Sequence, residues 1–159
     1  MTLLIVSDTH GRYERLARLC EMHRDVDALI FLGDGLSDLR SVLDECPQKT
    51  HFCAGNCDYA AYYPTDGVLE VENVKIFYCH GHKYGVKQEL LTLALAAKSR
   101  GCDIALYGHT HEAKITQMEG VTLINPGTLR YAVGKGGSYC YLVIHQGKIT
   151  PVIVGNPLQ

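Results

Sequence analysis

The sequence predicts an α/β fold built from two packed sheets, and three observations carry that prediction. Short apolar runs of four to seven residues recur along the chain, as expected for buried strands. In the first half, segments with helical periodicity separate most of these runs, which is the pattern of β/α alternation. From Ala113 onward only strand-like runs remain. This arrangement favours two sheets, the first of which carries helices on its outer face.

The first half alternates strands with helices. Strands are predicted at residues 2–7, 28–32 and 50–54, and helices at residues 13–23 and 36–46. Leu16, Leu19 and Cys20 share one face of the first helix. The second helix is expected to end before Pro47, because a residue that precedes proline avoids the helical conformation.

The rest of the chain begins with a predicted loop at residues 55–66. A hairpin follows, with strands at 68–71 and 74–79 around Glu72-Asn73. A helix at residues 86–100 is closed by Gly101, which suits a left-handed cap. The later strands are predicted at residues 104–107, 113–118, 121–124, 139–144 and 149–154.

The composition indicates a single domain over residues 1–159. Of its 159 residues, 47% are hydrophobic and 20% are charged, which is ordinary for a globular domain. A formal charge of -2 without a basic stretch argues against an extended nucleic-acid surface. No apolar run approaches the roughly 18 residues needed to cross a bilayer, so we expect no membrane partner.

The seven cysteines indicate a reducing compartment. Their number is odd, and no pair has the Cys-x-x-Cys spacing of a zinc or redox motif. Five lie in apolar periodic segments, where a free cysteine behaves as a small hydrophobic residue; these are Cys20, Cys53, Cys79, Cys102 and Cys140. We therefore expect a cytoplasmic protein.

Five predicted strands end in Asp, Asn or His. The runs read LLIVSDTH, ALIFLGD, HFCAGN, KIFYCHGH and DIALYGHTH. In open α/β sheets, ligands bind outside the carboxyl ends of the strands, so these side chains are expected in one crevice. The candidate donors are Asp8, His10, Asp34, Asn56, His80, His109 and His111.

This donor set indicates transition metals. Imidazole, carboxylate and amide oxygen suit Mn, Fe, Zn or Co, whereas an all-oxygen set would favour Mg or Ca. In Asp8-Thr9-His10 and His109-Thr110-His111 the donors are two positions apart, so an extended backbone would point both the same way. Seven donors are too many for one tetrahedral ion and suit two ions that share a carboxylate.

The rarer motifs carry most of the weight. In a chain of this composition, about 0.4 occurrences of Asp-x-His and about one of Gly-Asp are expected by chance. Only about 0.04 occurrences of Gly-His-x-His and about 0.02 of Gly-Asn-x-Asp are expected. Outside this pattern, Asp34 and Asn56 would be ordinary turn residues. His23, His51 and His145 belong to no such motif, and we expect them to be surface or core histidines.

A resemblance to a known family rests on an ordered set of motifs, namely Asp8-x-His10, Gly33-Asp34, Gly55-Asn56-x-Asp58, His80-Gly81-His82 and Gly108-His109-x-His111. Together they resemble the calcineurin-like metallophosphoesterase superfamily. The short length, Gly55-Asn56-Cys57-Asp58 and Asn125-Pro126-Gly127-Thr128 are similar to its small YfcE-type phosphodiesterases, over essentially the whole chain. The resemblance implies a four-layer α-β-β-α sandwich of the metallophosphoesterase type.

The resemblance also implies two divalent metal ions, with manganese expected and Ni, Fe, Zn or Co as alternatives. One ion would be bound by Asp8, His10, Asp34 and His111. The other would be bound by Asp34, Asn56, His80 and His109, so that Asp34 bridges the two. Substrate contacts are expected from Asn56, His82 and Arg130, with a structural role as the alternative for His82. Residues 125–128 are expected to support the site.

Cys57 departs from the family pattern. Many relatives carry His after the metal-binding Asn, where it is thought to protonate the leaving group or stabilise the transition state. A thiol with a pKa of about 8.5 is a poorer proton donor at neutral pH than an imidazole of about 6.5. A good leaving group, or water as the proton source, is therefore favoured. Cys57 and Asp58 are the catalytic candidates, and Asp58 would act by orienting its neighbours.

The implied reaction is hydrolysis of a small phosphate ester, a diester rather than a monoester, by a hydroxide that bridges the metal ions. The alternative is a non-catalytic Vps29-like scaffold for protein interactions on the same fold. Such scaffolds have eroded ligand sets, whereas every expected position is filled here. A single-metal binding module would leave half of the donors unexplained.

Overall fold

Two five-stranded sheets form the centre of the molecule. The computed structural model describes residues 1–46, 48–59 and 62–155, and over these the chain forms ten strands, three α-helices and one 3-10 helix. In chain order they are β1 (Thr2–Val6), α1 (Tyr13–Met22), β2 (Ala28–Phe31), α2 (Leu36–Val42), β3 (Lys49–Phe52), β4 (Asp66–Val71), β5 (Val74–Cys79), the 3-10 helix (His82–Tyr84), α3 (Leu91–Ser99), β6 (Ile104–Leu106), β7 (Lys114–Met118), β8 (Val121–Asn125), β9 (Tyr139–His145) and β10 (Lys148–Val154).

The first sheet has the strand order β10-β9-β1-β2-β3. Strands β1, β2 and β3 are parallel, and β9 is antiparallel to both β1 and β10. Residues 3–6 of β1 are fully buried, because this central strand is covered on both faces. Helices α1 and α2 cover the outer face, where Leu16, Leu19 and Leu39 pack against Leu4 and Phe31.

The second sheet has the order β4-β5-β6-β8-β7. Its three central strands are parallel, and β4 and β7 form antiparallel edges. Helix α3 covers the outer face through Leu93, Ala94 and Ala97, which share a buried cluster with Phe77 and Leu123.

The inner faces of the two sheets pack against each other. Leu3 and Ile5 of the first sheet share one buried cluster with Ile76, Ile104 and Ile124 of the second. The layers are therefore helix, sheet, sheet and helix, and the predicted α-β-β-α sandwich is confirmed. Among the described residues, no helix has both the length and the apolar character to cross a membrane.

Helix α2 is shorter than the sequence predicts. It ends at Val42 instead of residue 46, and the Cys46 N–H then donates to the Val42 carbonyl oxygen in a turn. The buried positions of the helix stop at Val42, and Leu43 is exposed, so no apolar contact extends the helix further. Pro47, which was expected to end this helix, lies outside the described residues.

Helix α3 begins later than predicted, at Leu91 instead of residue 86. The preceding residues form the 3-10 helix and turns, in which Gly85 adopts a φ of 62°. The Glu89 carboxylate accepts hydrogen bonds from the N–H groups of Leu91 and Thr92, at 2.5 and 3.3 Å. This carboxylate marks the helix start, since it satisfies N–H groups that have no partner within the helix.

The β-only region is divided between the two sheets. Hairpin β7–β8 completes the second sheet, whereas β9–β10 returns to the first. The connection stays close to the end of β1, where the Leu129 N–H donates to the Ser7 carbonyl oxygen at 3.2 Å. In the predicted 55–66 loop, Ala60 and Ala61 lie outside the described residues, and β4 already begins at Asp66.

Candidate metal centre

The seven predicted donors meet where five strands end. They are Asp8 and His10 after β1, Asp34 after β2, Asn56 after β3, His80 after β5, and His109 and His111 after β6. The first three strands belong to the first sheet and the other two to the second. The rule for a single open sheet therefore accounts for only part of the site, because the carboxyl edges of both sheets supply donors.

The backbone is left-handed at five of these donors. The φ angle is 56° at Asp8, 43° at His10, 56° at Asp34, 71° at His109 and 64° at His111. The predicted extended backbone at the Asp-x-His and His-x-His motifs is therefore wrong. Left-handed conformations cost non-glycine residues about 1 to 3 kcal/mol each and cluster at functional sites. Asp and His are among the residues that adopt them most readily.

The first cluster consists of Asp8, His10 and His111, whose donor atoms lie within 4.8 Å of one another. Asp8 Oδ1 is 3.4 Å from His10 Nε2 and 3.2 Å from His111 Nε2. The two ring nitrogens are themselves 3.2 Å apart. One carboxylate oxygen and two imidazole nitrogens thus converge on one point.

The second cluster consists of Asp34, His80 and His109. His80 Nε2 lies 3.2 Å from Asp34 Oδ2, 3.2 Å from His109 Nδ1 and 3.0 Å from Asn56 Oδ1. Asp34 Oδ2 is also 3.7 Å from His10 Nε2 of the first cluster. Asp34 therefore lies between the two clusters.

These residues fit divalent metal ions. Asp8 Oδ1 is buried, and within the part of the chain that the structure describes no donor forms a hydrogen bond with it. A buried carboxylate oxygen without a partner is costly unless a cation faces it. Two imidazole nitrogens bound to one ion at about 2.0–2.1 Å lie roughly 3 to 3.5 Å apart, and each cluster has a nitrogen pair at 3.2 Å.

In three of the donor side chains, a hydrogen bond to the protein occupies one polar atom and leaves the other polar atom available to a metal ion. The Nδ1–H of His80 donates to the Leu32 carbonyl oxygen at 2.7 Å, which leaves Nε2 to the cluster. Asp8 Oδ2 accepts from Ser7 Oγ at 2.5 Å and from the His109 N–H at 3.1 Å. Asp34 Oδ1 accepts from the Cys57 N–H at 2.8 Å. The free atoms of all three side chains face the clusters.

Two motif glycines keep these loops close together. A Cβ at Gly108 would lie 2.8 Å from Asp8 Oδ2 and closer still to Ser7 Oγ. A Cβ at Gly55 would lie 2.6 Å from the Asp34 nitrogen and closer still to Asp34 Oδ1. The glycine before a donor is therefore needed because the loop that carries another donor is in contact with it.

The charges of the clusters shift the pKa values of their members. Burial raises the pKa of Asp8, but the nearby imidazoles of His10, His111 and His80 outweigh it and leave the pKa well below its usual range. Burial also raises the pKa of Asp34, but the interactions with His80 outweigh it, so the pKa of Asp34 lies below its usual value. Burial and the charge of His80 lower the pKa of His109 to about 4. At neutral pH both carboxylates are negative, which suits cation binding.

Asp58 organises the loops around Asp34. Its Oδ2 accepts from the N–H groups of Asp34 and Gly55, both at 2.8 Å. Its Oδ1 accepts from the N–H groups of Gly35 and Leu36, both at 3.0 Å. One carboxylate therefore holds the loop after β2, the loop after β3 and the start of α2.

Residues 125–128 brace the loops after β1 and β6. The Asn125 amide donates to the Gly108 carbonyl oxygen at 3.1 Å and to Thr110 Oγ1 at 3.0 Å. The Thr128 hydroxyl donates to the Asp8 carbonyl oxygen at 2.7 Å. This buried segment therefore connects the second sheet with both sides of the first cluster.

The remaining predicted site residues lie at the rim. Asn56 and Cys57 are exposed, and Cys57 groups with His10 and Asp34 among possible metal donors. The His82 ring lies beside the second cluster, with its centroid 5.4 Å from that of His80 and 6.1 Å from that of His109. Arg130 is exposed. Asp8 raises the pKa of His10, and the positive charge of Arg130 opposes this rise by a smaller amount.

Sequence reasoning missed two residues that position the donors. The buried Asp38 of α2 accepts from Thr9 Oγ1 at 2.6 Å and from the Gly11 N–H at 2.8 Å, and so fixes the loop around His10. Ser7 donates to Asp8 as described above. Asp38 shares the buried face of α2 with Leu39 and Val42. A carboxylate on an otherwise apolar helix face is the sequence signal that could have indicated a buried positioning residue.

Comparison with known proteins gives consistent matches over most of the chain. A family model described as the calcineurin-like phosphoesterase superfamily domain matches residues 1–147. A protein of Bacillus subtilis named a probable metallophosphoesterase is 34% identical over 152 residues, which cover 94% of this chain and 88% of that protein. A protein of Methanocaldococcus jannaschii named a phosphodiesterase is 39% identical over 145 residues, covering 80% and 83%.

Solved structures match the fold as well. A predicted phosphoesterase of Streptococcus pneumoniae superposes with a TM-score of 0.82 at 26% identity, covering 98% of this chain and 89% of that one. Vps29 of Entamoeba histolytica, solved in complex with zinc, superposes with a TM-score of 0.75 at 20% identity, covering 97% and 98%. The second likeness concerns the fold alone.

Proposed function

The chain belongs to the calcineurin-like phosphoesterase superfamily, and on that premise we propose that it is a phosphodiesterase that uses two divalent metal ions to hydrolyse small phosphate diesters. The observation that carries the proposal is the buried Asp8 Oδ1, which has no hydrogen-bond partner among the described residues and faces the Nε2 atoms of His10 and His111. Without a cation, this arrangement would leave a buried charge poorly compensated.

The proposed ligand set divides between two ions. Asp8, His10, Asp34 and His111 would hold one ion, and Asp34, Asn56, His80 and His109 the other. The two clusters, and the position of Asp34 between them, support this division. Manganese is the ion we propose first, because the set mixes imidazole with oxygen donors. Two such ions supply a deprotonated water as nucleophile and neutralise the negative charge on the phosphate.

The residues of the chain prepare the site for an anionic ester. Exposed Asn56 offers its amide at the rim of the second cluster, and exposed Arg130 offers a positive charge near His10. We propose both as contacts to the phosphate oxygens, with His82 behind them against the His80 and His109 rings. Asp58 and Asp38 hold the donor loops in place before the substrate arrives.

Cys57 is the proposed residue at the leaving group. Slight burial and the negative charge of Asp34 raise its pKa, so the thiol stays protonated at neutral pH but releases its proton reluctantly. We therefore propose that diesters with good leaving groups, or water as proton source, sustain turnover. The phosphodiesterase name of the Methanocaldococcus relative supports a diester over a monoester. The seven free thiols support a reducing compartment such as the cytoplasm.

The second candidate function is a protein-interaction scaffold, the alternative implied by the sequence resemblance, and the likeness to Vps29 shows that the fold is compatible with it. Since that Vps29 structure itself contains zinc, metal binding does not separate the two functions. Turnover does. The complete donor set here favours the enzyme.

The test is hydrolysis of bis(p-nitrophenyl) phosphate with Mn²⁺ by the wild-type protein and by His109→Ala. We expect the variant to lose at least about 100-fold in kcat/KM, because one ligand of the second ion is removed. His145→Ala is the matched control, since His145 is an exposed histidine at the end of β9. Wild-type protein without turnover on any diester, with Mn²⁺ bound, would overturn the enzyme in favour of the scaffold.

A further inference from the structure

Two cysteines of different helical segments lie almost within bonding distance. Cys46 Sγ, after the end of α2, is 2.9 Å from Cys20 Sγ of α1. A disulfide bond is about 2.05 Å long, so the two sulfur atoms are about 0.9 Å further apart than in a bond. Both cysteines are free thiols in the structure. No part of the metal centre or of the proposed function uses them.

Hydrogen bonds to backbone carbonyl groups hold the two segments that carry these cysteines. The Gln48 side-chain amide donates to the carbonyl oxygens of Cys20 and His23, at 2.9 and 2.6 Å, and so fixes the end of α1 against the start of β3. The Cys46 N–H donates to the Val42 carbonyl oxygen at 2.9 Å. Both segments are therefore fixed independently of the sulfur contact.

The pair is accessible to a small oxidant. Cys46 is only half-buried, whereas Cys20 is buried. A cavity of about 430 Å³ is lined by both cysteines, with Ala17 and Val42 on its apolar side and Arg24 among its charged residues. A peroxide is far smaller than this cavity and can reach Cys46 first.

We propose that Cys20 and Cys46 are a reversible redox pair that closes to an intramolecular disulfide when the chain meets a peroxide. The Cys46 thiolate attacks one peroxide oxygen, an S–O bond forms, the O–O bond breaks, and the hydroxide that leaves takes up the proton that the Cys46 thiol had released, which gives water. The Cys20 sulfur then attacks Cys46, the S–S bond forms, the S–O bond breaks, and the second oxygen leaves as water with the Cys20 proton. Two thiols are oxidised and one peroxide is reduced to two waters, and a dithiol reductant reverses the bond by exchange.

The difference in exposure assigns the order of these steps, because Cys46 is half-buried and Cys20 is buried. The hydrogen bond with Cys20 lowers the pKa of Cys46, and the same contact raises that of Cys20. The less buried thiol is therefore the one that ionises and attacks, and the buried one resolves the intermediate.

The disulfide would cross-link residues 26 positions apart, between α1 and the segment after α2. Such a loop restricts the unfolded chain, so the oxidised protein is expected to melt roughly 5 to 10 °C above the reduced one. The inference does not depend on the proposed phosphodiesterase activity, and its readouts are mass and melting temperature.

The experiment treats reduced full-length protein with one equivalent of hydrogen peroxide, alkylates the remaining thiols under denaturing conditions and measures intact and peptide masses. We expect five alkylated cysteines instead of seven, a cross-linked peptide that contains Cys20 and Cys46, and full recovery after treatment with a dithiol. The melting temperature should rise only in protein that carries the cross-link.

Cys46→Ser and Cys20→Ala serve as test variants, and Cys102→Ser as the matched control, since Cys102 is also buried but belongs to another cluster. The control should keep both the cross-link and the rise in Tm, and the test variants should lose both. Oxidation of exposed Cys57 without any Cys20–Cys46 cross-link in folded wild-type protein would overturn the proposal, because it shows that the oxidant was active.

Discussion

His80 and Leu32 join the two sheets at the metal centre, where the Nδ1–H of His80 donates a 2.7 Å hydrogen bond to the Leu32 carbonyl oxygen. Leu32 follows β2 of the first sheet, and His80 follows β5 of the second. Because a carbonyl oxygen only accepts, Nδ1 carries a proton, and Nε2 is the ring nitrogen that faces Asp34. One side chain thus links two layers and offers a donor atom.

This double role predicts different effects for two neighbouring histidines. His80→Ala and His109→Ala should both reduce Mn²⁺-dependent turnover by at least about 100-fold. Only His80→Ala should also lower the free energy of unfolding of the metal-free protein, by about 1 to 3 kcal/mol, because the buried Leu32 carbonyl loses its donor. Urea denaturation in the presence of a chelator measures this difference. Equal losses of stability would contradict the structural role of His80.

Asp58→Ala should damage both stability and metal affinity, since four backbone N–H groups lose their acceptor. We expect the free energy of unfolding to fall by about 3 kcal/mol and Mn²⁺ to bind about 10 to 100 times more weakly. Asp25→Ala, at an exposed position, is the control. Calorimetric titration with Mn²⁺ gives the affinity, and an unchanged value in Asp58→Ala would show that Asp34 needs no such support.

Gly108→Ala should weaken metal binding through crowding alone. The added methyl group would push against Asp8 Oδ2 and Ser7 Oγ, and so displace the carboxylate of the first cluster. We expect a loss of at least about tenfold in Mn²⁺ affinity. Gly67→Ala is the matched control, because its Cβ would lie 2.9 Å from Cε1 of Tyr78 and closer still to Cζ and the hydroxyl oxygen of that side chain, outside the site. Both variants should lose about 1 to 3 kcal/mol of stability, and only Gly108→Ala should lose affinity.

Cys57→His should improve turnover of diesters whose leaving group needs a proton. The raised pKa of the thiol makes it a poor acid at neutral pH, and an imidazole at this exposed position would donate more readily. We expect kcat to rise about tenfold or more for an alkyl leaving group and to change little for p-nitrophenolate. Cys57→Ser, which adds no acid, should show no gain in kcat on either substrate. A parallel rise on both substrates would argue against proton transfer at this position.

Removal of the metal should lower the melting temperature. Mn²⁺ at about 100 times its dissociation constant adds about 2.7 kcal/mol, which corresponds to a rise in Tm of roughly 5 to 10 °C for a chain of this size. Differential scanning calorimetry with chelator and with Mn²⁺ measures the shift. His145→Ala should keep it, and His109→Ala should lose most of it. A shift of the same size in His109→Ala would place the stabilising ion elsewhere.

The sequence indicated which side chains are candidate donors, but not how they are arranged in space. Asp8, His80 and His111 could be recognised because each follows an apolar run, a relation that is local in the chain. The division of those runs between two sheets depends on how the sheets pack, and no local pattern encodes it. For the same reason, the left-handed backbone at His10 was missed, since its loop conformation is fixed by contacts with Asp34 and by the distant Asp38.

The cysteines illustrate the same limit. Cys20 was expected to be a small buried residue of α1, and it is buried. Its contact with Cys46 could not be anticipated, because Cys46 lies in a region that the sequence assigned to a longer helix. Cys46 lies instead in the turn after α2, in contact with α1. Predicting this pair would have required the packing of α1 against the segment that follows α2.

His10 and His111 are separated by 101 positions, yet their ring nitrogens are 3.2 Å apart. A nascent chain therefore has no complete first cluster until His111 has left the ribosome and the second sheet has docked. Contacts of such long range form late in folding, because the entropy of the intervening chain must be overcome first. Loading of the proposed metal ions would therefore be a step for the finished chain. A truncated product that stops before β6 lacks half of the histidine donors and would compete poorly for the cell's metal supply.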